Sequence, residues 1–457
     1  MPRLSFAVVA GLLLSSVCPE AVGAEPLAAP AATYKRPELG IWRSRGYGYL
    51  LDVRPAEVRV FDIAAERCTL TDTARDAASL GAIENVTPRG FVLAGETSRI
   101  GFERIAALPP ACSKETTASN DPLVNFDALW AIFEQNYPFF AERRVDWTQI
   151  RRIYRSKVAS LGRGGDPWPI FTEMLAPLHD PHVHLSDGAR RFQARRGASE
   201  PIELSQAALL DYLRNVDSPV AGGVTTLAYD RLAYGITSNA IGYVAVMTMG
   251  GFAAGPKGWP GNTTPAADIR AAETALTEAF NRLKDTRGLI LDLRFNPGGA
   301  EAFADLIAGC FADRRRRAYT KSAKDGSRQG PSFPVYTQAS ACKRYDRPVV
   351  VLVGERTTSA AEALVMRLRI LPVVTILGQP TQGAHSDVLD KTLPNGWRLG
   401  LSNEVYRVAD GHVYEGAGIP PDIVTRTTTP SDPPAMRFGR DIGAAERLIL
   451  TRAHPNE

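Results

Sequence analysis

A short apolar run followed by a cluster of hydroxyl residues constrains this chain more than any other feature. Residues 349–353 are Val-Val-Val-Leu-Val, and in a chain of mixed composition such a run is typical of a strand covered on both faces. Gly354 ends the run, and hydroxyl residues at 357–359 precede a helix-forming segment, residues 360–365. The pattern predicts a buried strand, a short turn, and a helix that begins next to Ser359.

Ser359 allows two interpretations. At the start of a helix, unpaired backbone N–H groups and the helix dipole can stabilise a negatively charged oxygen, so a serine there can act as a nucleophile. Serine is also favoured at this position because its side chain can cap the helix. The stretch alone does not decide between catalysis and capping, since a nucleophilic serine also needs a base.

The composition is that of a packed protein with two or three domains, because the chain has 457 residues and 44% hydrophobic content. The formal net charge of +4 is too small to indicate a nucleic-acid partner, and none is expected. Residues 314–317 are four consecutive arginines. They could contact an anionic lipid or a substrate carboxylate, but such runs are more typical of a solvated surface segment.

The N-terminus has the composition of a signal peptide. Arg3 supplies a positive start, residues 4–17 an apolar stretch too short to span a bilayer, and residues 22–24 the small residues of a cleavage site. We therefore predict a signal peptide over residues 1–24 and a periplasmic or secreted protein. Cys18 could suggest a lipoprotein, but the residue before it is not small. Since no later segment has 18 consecutive apolar residues, stable membrane insertion is not expected after signal removal.

Removal of the signal leaves four cysteines, an even number that fits two disulfide bonds in an exported protein. Three pairings of these residues are possible: Cys68, Cys112, Cys310 and Cys342. We predict Cys68–Cys112 and Cys310–Cys342, because each of these pairs falls within one predicted unit. The sequence has no Cys-x-x-Cys and no His/Cys cluster at metal-binding spacing, so neither a metal nor another cofactor is expected.

Composition and periodicity divide the rest of the chain into five segments. Residues 25–38 form an Ala/Pro-rich linker, and residues 39–115, where β-prone runs alternate with turn signals, a small β-rich domain. Residues 121–215 are predicted to form a helical segment, because apolar residues recur there at helical spacing. In residues 230–430 strands alternate with helices, which predicts an α/β core with a largely parallel sheet. Residues 431–457 are expected to be a C-terminal tail.

Two further groups of residues could carry chemistry. After the predicted strand 288–293, residues 296–299 (Asn-Pro-Gly-Gly) form a second strand-to-helix turn, where glycine lets the backbone approach a substrate closely and turn N–H groups inward. Residues 178–185 (Leu-His-Asp-Pro-His-Val-His-Leu) contain three of the six histidines of the chain. This histidine segment could equally be an exposed loop.

Four ordered motifs resemble the C-terminal-processing and tricorn-type serine peptidases, peptidase family S41, which also includes the modules of the interphotoreceptor retinoid-binding protein. The motifs are LDLRFNPGG at residues 291–299, TSAAE at 358–362, GQPTQGAH at 378–385 and EGAGIPPD at 415–422. The sequence DPHVHL at residues 180–185 fits the tricorn-like branch. The resemblance covers residues 125–425, so the β-rich domain lies outside it.

The resemblance implies a crotonase-like (ClpP-like) α/β core with a helical cap, and a peptidase that acts on a polypeptide or peptide substrate. It implies that Ser359 is the nucleophile. It also implies an oxyanion hole formed by the backbone N–H of Ala360 and of the Gly298–Gly299 turn. The processing branch has a lysine base 25 positions after the serine, and Ala384 stands there in this chain. A Ser–Lys pair is therefore excluded.

In the tricorn-like branch the base is a histidine, which the resemblance places at His182, with Glu415 as the supporting carboxylate. This is chemically suitable, because a neutral imidazole can accept the serine proton near pH 7 and a carboxylate can hold its orientation. Pro181 stands where this branch can have glycine or a hydroxyl residue, so any hydroxyl between Glu415 and His182 must come from elsewhere. His184 and His385 are further candidates, as substrate-facing residues.

Two other hypotheses remain at this point. The retinoid-binding relatives imply that the same scaffold could be a non-catalytic module that binds a hydrophobic ligand or a peptide. An unrelated esterase is less favoured, because the Gly-x-Ser-x-Gly elbow is absent around Ser359. Residues 190–240 are too short and lack the glycine-rich loop of a PDZ module. The sequence determines neither the natural substrate nor the oligomeric state.

Overall fold

The computed structural model describes residues 38–453 except 65–66, 96, 114–117, 196–204, 216–217, 256–264 and 341. The predicted signal peptide and nearly all of the predicted linker lie outside the described residues. Backbone contacts divide the chain into two compact units. The first comprises Met1–Arg45 and Tyr49–Thr116, and the second comprises Gly46–Gly48 and Thr117–Glu457.

The first unit contains one antiparallel sheet of seven strands, β1 (Gly40–Ser44), β2 (Tyr49–Val53), β3 (Val58–Ala64), β4 (Arg67–Ala74), β5 (Ala82–Glu84), β6 (Gly90–Ala94) and β7 (Arg99–Ile105). Their order in the sheet is β4-β3-β2-β1-β7-β6-β5. Trp42 is fully buried and meets the ring of Phe91 edge-on, with 4.9 Å between the ring centroids. The predicted Cys68–Cys112 disulfide is confirmed.

The second unit alternates helices and strands. Its helices are α1 (Pro122–Asn136), α2 (Trp147–Ala159), α3 (Trp168–Leu175), α4 (Gln206–Arg214), α5 (Pro265–Leu283), α6 (Glu301–Gly309), α7 (Ala360–Arg369) and α8 (Arg440–Ala453). Its strands are β8 (His184–Ser186), β9 (Arg191–Gln193), β10 (Thr225–Leu227), β11 (Leu232–Ile236), β12 (Gly242–Val246), β13 (Leu289–Asp292), β14 (Arg316–Asp325), β15 (Arg328–Gln329), β16 (Phe333–Thr337), β17 (Val349–Val353), β18 (Val374–Gly378), β19 (Val388–Thr392), β20 (Arg398–Ser402), β21 (Glu404–Val408) and β22 (Ile423–Val424).

The central sheet of this unit has seven strands in the order β10-β11-β12-β13-β17-β18-β22. From β12 to β22 every neighbouring pair is parallel, whereas β10 and β11 join the edge as an antiparallel hairpin. The prediction of an α/β core with a largely parallel sheet is therefore confirmed. Because neighbouring parallel strands share a direction, the turns after β13 and β17 lie at the same edge of the sheet.

Strand β17 is covered on both faces, as its apolar run predicted. Val349, Val351 and Val353 belong to a core shared with α5, α6 and α7. Val350 and Leu352 belong to a second core, shared with α4 and α8. All five side chains are 0–1% exposed, and burying a side chain of this kind contributes about 1.5–3 kcal/mol. This two-sided burial fixes the strand that leads into Ser359.

The expectation of a C-terminal tail is wrong, because helix α8 covers one face of the central sheet. Ile442, Ala445 and Ile449 are fully buried in the second core. Their spacing of three and four residues places them on one side of a helix, which gives α8 an apolar stripe to bury.

Two smaller sheets complete the second unit. One has the order β15-β14-β16, with β21 also pairing with β14, and the other has the order β19-β20-β8-β9. The predicted Cys310–Cys342 disulfide is confirmed. In the part of the chain that the structure describes, no helix combines the length and the apolar character needed to cross a bilayer. Residues 121–215, predicted to be helical, also contain the two strands β8 and β9.

Candidate active site

Ser359 occupies the turn between β17 and α7 with an unusual backbone conformation. Its φ of 58° and ψ of −126° lie outside the regions that a residue with a side chain ordinarily adopts. The Ser359 N–H donates to the carbonyl of Ala384 at 2.9 Å and to Glu362 Oε2 at 3.1 Å. Such a conformation costs about 1–3 kcal/mol and persists where surrounding contacts impose it. The hydrogen bonds to Ala384 and Glu362 therefore hold this turn in its conformation.

The buried carboxylate of Glu362 connects this turn to the loop after β18. Oε1 accepts hydrogen bonds from Thr381 Oγ1 at 2.6 Å and from the Gly383 N–H at 2.7 Å. Oε2 accepts from the Ala384 N–H at 2.9 Å, besides the Ser359 N–H. Burial raises the pKa of Glu362, while these hydrogen bonds act in the opposite direction. Glu362 thus has a structural role.

The glycine turn after β13 packs directly against Ser359. Gly298 has a φ of 92°, and a Cβ atom there would lie 2.6 Å from Ser359 Cβ and 2.9 Å from the Ala360 nitrogen. No larger residue fits this approach. The Gly298 N–H donates to Asn296 Oδ1 at 2.8 Å, so it is already occupied. Within the described residues, the N–H groups of Gly299 and Ala360 make no hydrogen bond.

The three residues predicted to form the oxyanion hole, Gly298, Gly299 and Ala360, differ in whether their N–H groups are occupied. Gly299 and Ala360 each offer a free backbone donor, and Ala360 is the first residue of α7, where the helix dipole favours negative charge. Gly298 does not offer a free donor. Because Gly298 has no side chain, the turn after β13 can approach the turn between β17 and α7 closely.

His182 is partly buried and is fixed through its backbone by Asp180. The His182 N–H donates to Asp180 Oδ1 at 2.9 Å, and Tyr137 Oη donates to Asp180 Oδ2 at 2.9 Å. His182 Nδ1 lies 3.5 Å from Ser402 Oγ. Burial lowers the pKa of His182, while the carboxylates of Asp180 and Asp387 oppose the shift. The imidazole is therefore neutral at pH 7 and can accept a proton.

Glu415 is buried, and it contacts Arg143 and two backbone N–H groups. The resemblance had predicted His182 as its partner. Glu415 Oε1 accepts from Arg143 Nη2 at 2.9 Å, and its Oε2 accepts from the N–H groups of His385 and Ser386 at 3.0 and 3.1 Å. Burial and the charge of Asp180 raise the pKa of Glu415 well above its usual value, while Arg143 opposes the shift. No hydrogen bond between Glu415 and His182 is present in the described part of the chain.

The two other predicted histidines differ in exposure. His385 is only 2% exposed, so the expectation that it faces a substrate is not supported. His184 Nε2 lies 3.6 Å from Asp390 Oδ1, and about a third of the His184 side chain is exposed, 32%. Its ring lies over Gly400 in the neighbouring strand, where a Cβ atom would be 2.0 Å from it. His184 therefore remains open to the solvent and His385 does not.

Arg143 was not identified from the sequence, although it joins three of the segments that carry site residues. Besides Glu415, its guanidinium donates to the carbonyls of His179 at 2.9 Å and Gly383 at 3.0 Å. Arg143 and Glu415 are 272 residues apart in the chain, so no local pattern could reveal the pair. Ser402 was missed for the same reason, since it meets His182 across 220 residues.

No metal-binding arrangement accompanies these residues. Among the described residues, no group of three or more His, Cys, Asp or Glu side chains could hold a metal ion.

Replacement of Arg143 should destabilise the protein strongly. Its side chain is 5% exposed, and Arg143→Met would leave the carboxylates of Glu415 and Asp180 buried without their cation. We expect a loss of about 3–5 kcal/mol in the free energy of unfolding, measured by urea denaturation. The control is Arg155→Met, which breaks a half-exposed pair with Asp127 and should cost about 1 kcal/mol or less. Equal losses in the two variants would mean that Arg143 does not compensate the buried carboxylates.

Two segments of the chain match models of known protein families. Residues 240–425 match the model of Peptidase family S41, and residues 119–176 match that of the Tricorn protease C1 domain. The carboxy-terminal processing protease CtpA of Bacillus subtilis is 31% identical over 150 residues, which is 32% of this chain and 31% of the relative. A carboxyl-terminal-processing protease of Synechocystis sp. is 32% identical over 137 residues, 30% of each chain. The match thus spans about a third of these relatives.

Solved structures share the fold over a longer part of the chain. A candidate peptidase from Parabacteroides merdae matches with a TM-score of 0.58 and 26% identity, over 72% of this chain and 97% of that one. Mature CPAF matches with a TM-score of 0.55 over 74% of this chain and 98% of its own. Its identity of 12% makes this a likeness of fold alone. Residues 240–425 are thus similar to peptidase family S41, and the preceding residues 119–176 are similar to the tricorn protease C1 domain.

Proposed function

We propose that this chain is a serine peptidase whose nucleophile is Ser359. The observation that carries the proposal is the pair of free backbone N–H groups, on Gly299 and Ala360, beside a serine held in a strained turn. Acyl transfer develops negative charge on the carbonyl oxygen of the substrate, and two preorganised donors stabilise that charge. The relatives from Bacillus subtilis and Synechocystis sp. are named as proteases, which agrees with this class of chemistry.

The proposed reaction uses His182 as the general base. The neutral imidazole accepts the proton of Ser359 Oγ as the hydroxyl oxygen attacks the peptide carbonyl, and the resulting oxyanion binds to the N–H groups of Gly299 and Ala360. The protonated His182 then gives its proton to the leaving amine. In the second half of the reaction His182 activates a water molecule, which hydrolyses the acyl-enzyme. Ser402 Oγ, near His182 Nδ1, is suited to keep the ring in one orientation.

The supporting role of Glu415 is proposed in a modified form. Arg143 and two backbone N–H groups hold its carboxylate, so it acts on His182 through the structure around it and not through a direct hydrogen bond. Asp180 holds the backbone of His182 directly.

The remaining parts of the proposal concern fold, organisation and location. We propose a crotonase-like core at residues 230–430, with a helical cap formed by residues 121–215 and a separate β-rich domain at residues 39–115. The signal-peptide composition of residues 1–24 and the two disulfide bonds support an exported, periplasmic or secreted protein. The substrate class is a polypeptide or peptide.

A non-catalytic binding module is less well supported. Such a module would not need a serine in a costly backbone conformation, nor two unpaired donors beside it. No observation in the described residues favours it over the peptidase.

Replacement of Ser359 tests the proposal directly. Ser359→Ala should fold normally and lose both peptide hydrolysis and covalent labelling by a fluorophosphonate, because it removes the hydroxyl group that would attack the carbonyl carbon or the phosphorus atom. The readout is the labelled protein band together with circular dichroism. Ser156→Ala, on the exposed side of α2, is the matched control and should be labelled like the wild type. Labelling that survives in Ser359→Ala would end the proposal.

The pH dependence of the labelling rate tests whether His182 is the base. Because burial lowers the pKa of His182, its proton-accepting form is already dominant below pH 6.5. The rate of labelling should therefore rise with pH through an apparent pKa below 6.5 and stay level above pH 7. His182→Ala should lower kcat by about four orders of magnitude or more. A rate that continues to rise between pH 8 and 10 would contradict a histidine base.

A further inference from the structure

The four-stranded sheet β19-β20-β8-β9 has an exposed face that the proposed reaction does not yet use. Along β19 the side chains of Val388, Asp390 and Thr392 are exposed, whereas the two residues between them are buried. Because successive side chains of a strand point to opposite sides of the sheet, these three lie on one side. The sheet therefore presents a face to the solvent.

This face leads to the proposed base. Ser402 pairs with Val388 across the sheet, and the Ser402 hydroxyl lies 3.5 Å from His182 Nδ1. His184 follows His182 by two residues, and the two are in contact, since His184 Nδ1 lies 3.2 Å from the carbonyl oxygen of His182. Two residues of extended chain span about 6.6 Å. A peptide that is cleaved at His182 can therefore reach His184 with a side chain close to the cleaved bond.

His184, Gly400 and Asp390 form a row across three neighbouring strands. Gly400 pairs with His184 on one side and with Asp390 on the other. Because Gly400 has no side chain, the ring of His184 lies over it, where a Cβ atom would be 2.0 Å from the ring. His184 Nε2 is thereby brought to 3.6 Å from Asp390 Oδ1. This is close, but longer than a hydrogen bond.

Both atoms of this pair can accept a hydrogen bond. A carbonyl oxygen can only accept, so the contact with the carbonyl of His182 places the ring proton of His184 on Nδ1. In the neutral ring Nε2 then carries the lone pair, and it faces a carboxylate. The Asp390 side chain is 81% exposed. The pair thus offers two neighbouring acceptors, one of them charged, to a donor that comes from solution.

We propose that His184 and Asp390 form a substrate subsite that binds the side chain of a lysine close to the cleaved bond. The ammonium group has three donors, of which one reaches Asp390 Oδ1 and another His184 Nε2, and its positive charge complements that of the carboxylate. A glutamate of the substrate would be repelled at the same place. The inference rests on the proposed function, because it takes a peptide as the substrate and His182 as the base.

The charges further along the face restrict this preference to one position. Arg398 pairs with Ser186, which pairs with Arg191, so the next row carries two arginines, both exposed. This row lies two residues from that of Asp390, or about 7 Å. Because the two rows carry opposite charges, a lysine is favoured at the row of Asp390 and disfavoured at the next one.

The experiment measures the charge preference of the full chain with internally quenched peptides. In each set one position is lysine, Nε-acetyl-lysine or glutamate, and this position is moved through the three residues on either side of the cleaved bond. Acetylation removes the charge of lysine and keeps its side chain. The readout at each position is kcat/KM for lysine divided by kcat/KM for acetyl-lysine. Mass spectrometry of the products identifies the cleaved bond.

We expect the wild type to prefer lysine about three- to tenfold at one position, since the charge pair is exposed before the substrate binds. Asp390→Asn should bring the ratio to about one, and Asp390→Lys should make glutamate the preferred residue. His184→Phe removes the second acceptor and should also lower the ratio. The matched control is Asp410→Asn, which removes an exposed carboxylate 3.0 Å from His412 Nδ1 and should keep the wild-type ratio.

Three results would overturn the inference, and they differ from a failure of the proposed function. Equal rates for lysine and acetyl-lysine at every position of the wild type would mean that no cationic subsite exists. A preference that survives in Asp390→Asn would place the subsite elsewhere. Cleavage of none of the peptides, with normal fluorophosphonate labelling of Ser359, would refute the subsite while Ser359 stays the nucleophile. A wild-type protein that is neither active nor labelled would refute the proposed function, and this inference with it.

Discussion

The buried carboxylate of Glu362 is the interaction on which the rest of the site depends. It accepts hydrogen bonds from Thr381, Gly383, Ala384 and Ser359, and so fixes two loops that follow neighbouring parallel strands. A strained residue must be held by contacts whose total exceeds the cost of the strain. Hydrogen bonds to a charged group each contribute about 1.5–3 kcal/mol, so this set is sufficient to hold Ser359 in its conformation.

A second buried network sets the position of the histidine segment. Arg143 is the cation shared by Glu415 and the carbonyls of His179 and Gly383, and it lies 3.9 Å from Asp180. A guanidinium is suited to this task because its donors are arranged in a rigid plane. Charge pairs of this kind add little net stability, but they are costly to break. Their effect here is to fix the relative positions of segments that are far apart in the chain.

The sequence predicted the elements that depend on local patterns. The run at residues 349–353 indicated a strand covered on both faces, the strand–helix alternation indicated a parallel sheet, and both disulfide pairings are confirmed. Contacts between distant segments could not be predicted this way. Arg143 with Glu415 is one such contact, since neither residue carries a local signal for the other. The occupied N–H of Gly298 is another, because sequence does not show which glycine of a pair donates to Asn296.

The structure of a fluorophosphonate adduct tests the central claim most directly. We predict a bond between phosphorus and Ser359 Oγ, with the phosphonyl oxygen about 2.7–3.1 Å from the backbone nitrogens of both Gly299 and Ala360. An adduct on another residue would contradict the claim that Ser359 is the nucleophile. An adduct on Ser359 whose oxygen contacts neither of these two nitrogens would contradict the proposed oxyanion hole.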